Sequence, residues 1–205
     1  MPAPVKLLLA SSNPGKLREY QALAAGHAVE LAALPNFAAL PSFDESAPTF
    51  AENAAGKALH YSRYARLPVI ADDSGLVVPA LGDAPGVHSA RYAGPGASDA
   101  DHVRKLLEDL RSIEVRDRAA RFVCVLVMAQ QGRALGVFSA FVAGELLEAP
   151  RGGQGFGFDP IFYYPPLGRT FAELTHEEKN QHSHRGQAFR KLLAFLESAG
   201  HAHVA

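Results

Sequence analysis

Residues 119–142, AARFVCVLVMAQQGRALGVFSAFV, consist of two long apolar runs, Ala119 to Ala129 and Ala134 to Val142, on either side of Gln130-Gln131-Gly132-Arg133. Two strand-length runs joined by so short a polar, glycine-containing link read as a β-hairpin, and a hairpin is antiparallel. This placement decides the sheet type. Upstream, Val5 to Ala10 and Leu67 to Ala71 are short apolar runs followed by helical patterns, the alternation expected of an α/β sheet. An antiparallel hairpin inserted into that alternation predicts an α/β fold with a mixed sheet, not an all-parallel one.

Working outward, leucines and alanines at helical spacing predict a helix over Lys16 to Ala25. Thr49 with Glu52 three residues on starts a helix that runs to about Ala65. Leu34 to Pro48 is a loop, and the strand Leu67 to Ala71 ends at Asp72-Asp73-Ser74-Gly75, with Leu76 to Val78 continuing past a turn. Pro85 to Gly96 is loop-like, and Ser98 caps a helix through Leu110. Gly144 to Leu147 reads as a further strand and Ile161 to Tyr163 as a short one. Thr170 with Glu173 is a capping-box match, His184 to Ser198 is an amphipathic helix, and the tail from His201 to Ala205 is frayed. Repeats, low-complexity tracts and an interdomain linker are absent from the sequence, so the expectation is one domain over residues 1–205.

The 205 residues are 48% hydrophobic, enough for a core without disulfides. The single cysteine, Cys124, sits in the apolar run Phe122 to Val127, where a thiol is most simply a small buried hydrophobe. The first residues lack the length and cleavage pattern of a signal peptide and no stretch is long enough to span a membrane, so a soluble cytoplasmic protein is expected. A formal net charge of −1 argues against general nucleic-acid binding.

Four polar clusters carry chemistry. Strand, then Ser11-Ser12-Asn13-Pro14-Gly15-Lys16, then helix, is an arrangement in which a helix N-terminus and a lysine face an anion; the alternative is a loop that caps a helix with Lys16 solvated. The spacing is not that of a Walker A loop. The adjacent carboxylates Asp72 and Asp73, read at a strand's C-terminal end, suit Mg²⁺, against the alternative of an Asp-Ser-Gly turn. In Gly152 to Pro160, glycines allow close approach of a flat or charged ligand, and Phe156 and Phe158 offer stacking faces or, alternatively, core plugs. Lys179, His184 and Arg185 form a second cationic group. His176, His182 and His184 lack the spacing and thiol partners of a zinc site. Asp44-Glu45 and Lys57 are each, taken alone, read most simply as solvated.

Together these segments resemble the non-standard purine nucleoside triphosphate pyrophosphatase family, also called inosine triphosphatase or Ham1-like. The matching stretches are Ser11 to Lys16, Thr49 to Ala54, Ala71 to Leu76, Pro85 to Tyr92, Gly155 to Phe162, and Glu178 to Asn180 through Ser183 to Ala188, in the family's order and over nearly the whole chain. Phe158 stands where the family usually has tyrosine, and His88 occupies a variable place.

The resemblance implies an elongated mixed sheet flanked by helices, two lobes around a nucleotide-binding cleft, a homodimer and Mg²⁺ dependence. It implies that Ser11, Ser12, Asn13, Pro14, Gly15 and Lys16 hold a triphosphate, and that Asp73 is proton acceptor and metal ligand. Asp44 is its first choice for a further ligand, with Glu45 beside it. Ser74, Phe156, Gly157, Phe158, Asp159, Lys179, His184 and Arg185 would contact substrate, with Lys57 assisting. The implied reaction converts ITP, dITP or XTP to the monophosphate and pyrophosphate, with Arg185 or the 155–159 backbone meeting the 6-keto edge of the base. Maf-like pyrophosphatases and a non-hydrolysing nucleotide sensor are the competing readings. The Ser183-His184-Arg185 segment weighs against the first and the paired aspartates against the second.

Overall fold

The structure, a computed structural model, describes residues 4–113 and 117–201; residues 202–205 of the tail and the first three residues lie outside them. The strands are β1 (Val5–Leu9), β2 (Val29–Ala33), β3 (Val69–Val77), β4 (Ala119–Gln130), β5 (Arg133–Leu146), β6 (Phe162–Tyr164) and β7 (Arg169–Thr170). They form one seven-stranded sheet in the order β2-β1-β3-β4-β5-β6-β7. The helices are α1 (Pro14–Ala24), α2 (Phe50–Tyr61), α3 (Asp99–Arg111), α4 (His176–His182) and α5 (His184–His201).

β1 pairs in parallel with both β2 and β3, while β6 is antiparallel to β5 and to β7, so the sheet is mixed as expected. Gln131 and Gly132 both take positive φ between β4 and β5, the two-residue hairpin turn whose twist matches that of its strands. Buried Ser62 accepts the Gly132 N–H at 3.0 Å and fastens the hairpin tip to the end of α2.

The chain divides into two compact units. In the first, residues 1–73, 124–140 and 185–205, strand parity sorts two cores. Leu7, Leu9, Ile70, Cys124, Leu126 and Met128 pack with Tyr20 of α1 and with Phe189 and Leu192 of α5. The alternate residues Leu8, Ala10, Val69, Ala71, Val125, Val127 and Ala129 pack with Ala54, Ala58 and Tyr61 of α2. The sheet is thus covered by α1 and α5 on one face and by α2 on the other. In the second unit, residues 74–123 and 141–184, Val103, Leu106, Leu107 and Leu110 of α3 pack with Leu76, Phe122, Phe162 and Phe171.

Four expectations are corrected. The stretch expected to turn at Asp72 to Gly75 is instead the middle of β3, which runs unbroken to Val77; Gly75 keeps no positive φ, so it serves no turn. Gly144 to Leu146 is the continuation of β5, not a separate strand. β2 was not anticipated: it lies at the sheet edge and buries only Leu31, so its periodic signal is weak. α4 was not anticipated either; Thr175 and Glu178 form its capping box, and Ser183 in extended conformation separates it from α5.

Candidate active site

Successive residues of a strand point to opposite faces, so Asp72 and Asp73 cannot share an environment. Asp72, with the parity of Ile70, enters the layer of α1 and α5; Asp73, with the parity of Ala71, faces α2. The divergence gives the two carboxylates different partners, although Asp72 still disfavours the charged form of Asp73.

Asp72 is fully buried (0% exposed), and Lys16 Nζ lies 3.0 Å from its Oδ2, with Arg185 Nε at 3.7 Å. Burial alone would raise the proton affinity of this carboxyl, but Lys16, then Arg185 and Lys57, outweigh burial and hold it well below the usual carboxylate range. Arg185 is itself buried and ion-paired with Glu19 of α1. A chain of alternating charge, Glu19, Arg185, Asp72, Lys16, therefore runs through the layer between β3 and the two helices. Tyr20 and Cys124 adjoin it, Tyr20 Oη lying 3.7 Å from Cys124 Sγ; burial pushes the thiol up to about 12, consistent with its expected part as a buried hydrophobe.

Asp73 is 7% exposed and accepts from Asn53 Nδ2 at 3.1 Å. Burial dominates here: although Lys16, Asn53 and Lys57 favour the charged form, desolvation aided by Asp72 raises the carboxyl to about 6. Asn53 was missed by the sequence reading. It is fully buried, and its side chain also exchanges hydrogen bonds with the Ala47 backbone, which ties the preceding loop to α2. Its four-residue spacing from Lys57 on α2 is the signal that marks it. Glu19, three residues after Lys16, was missed in the same way.

Lys57 is buried, not solvated, and its Nζ lies 3.0 Å from Glu45 Oε2. Asp44 is exposed and accepts from Ser46 Oγ at 2.8 Å, so of the acidic pair it is Glu45 that turns to the lysine. The loop before α1 caps its helix: Asn13 Oδ1 accepts from Gly15 N at 2.8 Å and Lys16 N at 3.1 Å, Ser11 Oγ accepts from Asn13 N at 3.2 Å, Pro14 takes the first turn, and Ser12 is exposed. Capping and charge placement occur together, because Lys16 turns inward to Asp72. Ser74 follows on β3, half-buried.

The remaining expected residues lie in the second unit. Asp159 is buried, accepts from Phe156 N at 2.8 Å and is ion-paired with buried Lys179, whose Nζ lies 4.8 Å from the Phe156 ring centre. Gly157, at φ +63°, donates its N–H to Asp99 Oδ2 at 2.7 Å, pinning the glycine loop to the first turn of α3. Phe158 is 4% exposed within the core beside α3, so of the two rings only Phe156 keeps accessible area; the aromatic-plug alternative describes Phe158. His184 is buried and stacks on Phe122 at 4.7 Å with an interplanar angle of 11°. Arg185, the expected donor to the base edge, is buried and ion-paired with Glu19 and Asp72.

Among the described residues no group of three His, Cys, Asp or Glu side chains stands together. The donors available at Asp73 and Glu45 are carboxylate oxygens, the type a hard cation takes, and Mg²⁺ commonly needs only one or two of them when phosphates and water complete its shell. The residues therefore fit Mg²⁺ in donor type. No helix among the described residues is long and apolar enough to cross a membrane.

Comparison with known proteins agrees over nearly the full length. The dITP/XTP pyrophosphatase of Geobacillus kaustophilus is 51% identical over 187 residues, covering 91% of this chain and 92% of the relative. That of Thermus thermophilus is 48% identical over 189 residues, covering 92% and 90%. Among solved structures, a HAM1 protein from Coxiella burnetii superimposes with a TM-score of 0.85 at 42% identity, covering 95% of this chain and 99% of the other. The Staphylococcus aureus Ham1 protein gives 0.82 at 39% identity over the same shares. The Ham1 family model matches residues 7–195, and with relatives this similar over this much of its length the chain belongs to the Ham1 family.

Proposed function

We propose that this chain is a nucleoside triphosphate pyrophosphatase that converts dITP, XTP and ITP to the monophosphate and pyrophosphate, removing non-standard purines from the nucleotide pool. The observation that carries the reading is the divergence of two adjacent aspartates: Asp72 held as an anion between Lys16 and Arg185, and Asp73 raised to about 6 beside Asn53. Carboxylates whose surroundings push their proton affinities apart are suited to different parts of one reaction. A carboxyl poised near neutrality is suited to accept a proton from water.

In this reading Asp73 takes the proton of the water that attacks the α-phosphorus, and Asn53 orients its carboxyl. Lys16 and Lys57 offset the charge of the triphosphate, with Ser11 to Gly15 lining it. Asp72 and Arg185 keep Lys16 in place. Phe156 and the 155–159 backbone meet the base, and Lys179 holds that loop through Asp159. Asp73 and Glu45, in preference to Asp44, would hold Mg²⁺, which when bound supplies charge neutralisation on the phosphates. Most of the rate enhancement comes from positioning and electrostatics, as phosphoryl chemistry needs little covalent help. A single domain, a cytoplasmic location and a homodimeric state belong to the same proposal.

The test is incubation with ITP, XTP, dITP, ATP and GTP plus Mg²⁺, with separate detection of pyrophosphate and orthophosphate. Pyrophosphate from the first three, at rates far above ATP and GTP, is the expected result. Orthophosphate release, or binding without turnover, overturns it.

A further inference from the structure

β3 pairs with β1 at Val69 and Ile70, and on that edge the Ala10 N–H donates to the Ile70 carbonyl at 2.9 Å. Strand parity puts the Leu76 N–H on the same edge. There the fully buried Leu76 donates to Ser89 Oγ at 2.9 Å, and the Ser89 hydroxyl donates to the Gly86 carbonyl at 2.7 Å. Val77 bridges Pro85, and the Val78 N–H donates to the Ala84 carbonyl at 3.2 Å. Residues 84–89 thus take the place of a neighbouring strand along the end of β3.

Gly75 fits this arrangement. A Cβ there would press on Ser89 Oγ and the Gly86 carbonyl and lie 2.9 Å from Ser89 Cβ, so the strand accepts this close neighbour only without a side chain. The segment is held in turn by α3: Tyr92 Oη donates to Asp109 Oδ2 at 2.5 Å, and the Ala93 N–H to His102 Nδ1 at 3.0 Å. Asp72, Asp73 and Ser74 occupy the stretch of β3 between the Ile70 tie and the Ser89 tie.

We propose that Ser89 is a positioning residue, whose hydroxyl fixes the β3 backbone that carries Asp73 and Ser74. This rests on the assignment of Asp73 to the reaction. Losing the hydroxyl leaves the buried Leu76 N–H without its acceptor and loosens one edge of β3 beside the reacting carboxylate, its other edge staying paired with β4; there small displacements are costly to rate.

The test measures kcat, KM, thermal melting and hydrogen exchange at the Leu76 amide with dITP and Mg²⁺, comparing the native chain with Ser89→Ala and with Ser62→Ala. Ser62 is a control likewise buried and hydrogen-bonded, but placed at the hairpin tip. Ser89→Ala is expected to lower kcat about tenfold to a hundredfold with KM little changed, and to speed Leu76 exchange. Ser62→Ala is expected to lower the melting temperature without that loss of kcat. If Ser89→Ala does not fold, Ser89→Cys, whose sulfur is a weak acceptor, replaces it with the same expectation. A folded Ser89 variant with native kcat overturns the proposal, as does Ser62→Ala losing as much kcat at equal thermal loss. Turnover by Asp73→Asn would instead defeat the catalytic assignment, while an inactive Asp73→Asn beside a fully active Ser89→Ala defeats the part given to Ser89 alone.

Discussion

Asp73→Asn should make this protein more stable as it makes it inactive. The carboxyl is 7% exposed and burial lifts it from 3.8 to about 6, so at neutral pH the folded chain carries a charge its surroundings disfavour. A difference of about 2 units corresponds to about 3 kcal/mol, and asparagine has nearly the same shape without the charge. The sign follows from proton binding. Between about pH 4 and pH 6 the folded state holds a proton that the unfolded state has released, so native stability falls as pH rises through that window and is level above it. The advantage of Asp73→Asn is therefore full at pH 7.5 and falls to about 0.5 kcal/mol at pH 4, where the folded carboxyl is protonated and the unfolded one is about half so. Urea titrations at the two pH values, with chelator to exclude metal, measure it; in a chain of this size about 3 kcal/mol corresponds to a rise in melting temperature of roughly 6–12 °C. A variant no more stable than the native chain at pH 7.5, or a gain as large at pH 4 as at pH 7.5, contradicts this account.

Asp72→Asn should act in the opposite direction, because it leaves Lys16 and Arg185 without the buried anion between them: a loss of about 3–5 kcal/mol is expected in urea titration, and a loss below about 1 kcal/mol would show that the Glu19-Arg185-Asp72-Lys16 chain stabilises little. Cys124, fully buried with its thiol pushed up to about 12, should not react with a thiol reagent at pH 8 until the protein unfolds; modification of the folded protein at the rate of a free thiol contradicts that placement.

Much of the architecture was legible because it depends on local signals. The runs flanking Gln131-Gly132 announced the antiparallel pair, and Thr49, Ser98 and Thr170 announced element starts through cap chemistry that acts within three residues. The misreadings share a cause. Asp-Asp-Ser-Gly has the composition of a turn, yet β3 continues through it because residues 84–89 supply the partners a strand needs, and Asp72 is neutralised by side chains from α1 and α5. β2 escaped notice because an edge strand with a single buried residue resembles a loop.

Residue types and their spacing were enough to say which chemical groups this protein carries and roughly which elements bear them: paired aspartates, a lysine at a helix start, a glycine loop and a second cationic run. The surroundings of each group follow from the fold. Asp72 and Asp73 are neighbours of the same type, and nothing local distinguishes them; the pleat sends one to two cations and the other to Asn53, and their proton affinities separate accordingly. Arg185 is a buried partner of Glu19, 166 residues away in sequence, a pairing that no local pattern shows. Charge energetics depend on distance and solvent access, which the fold creates and which spacing along the chain does not encode.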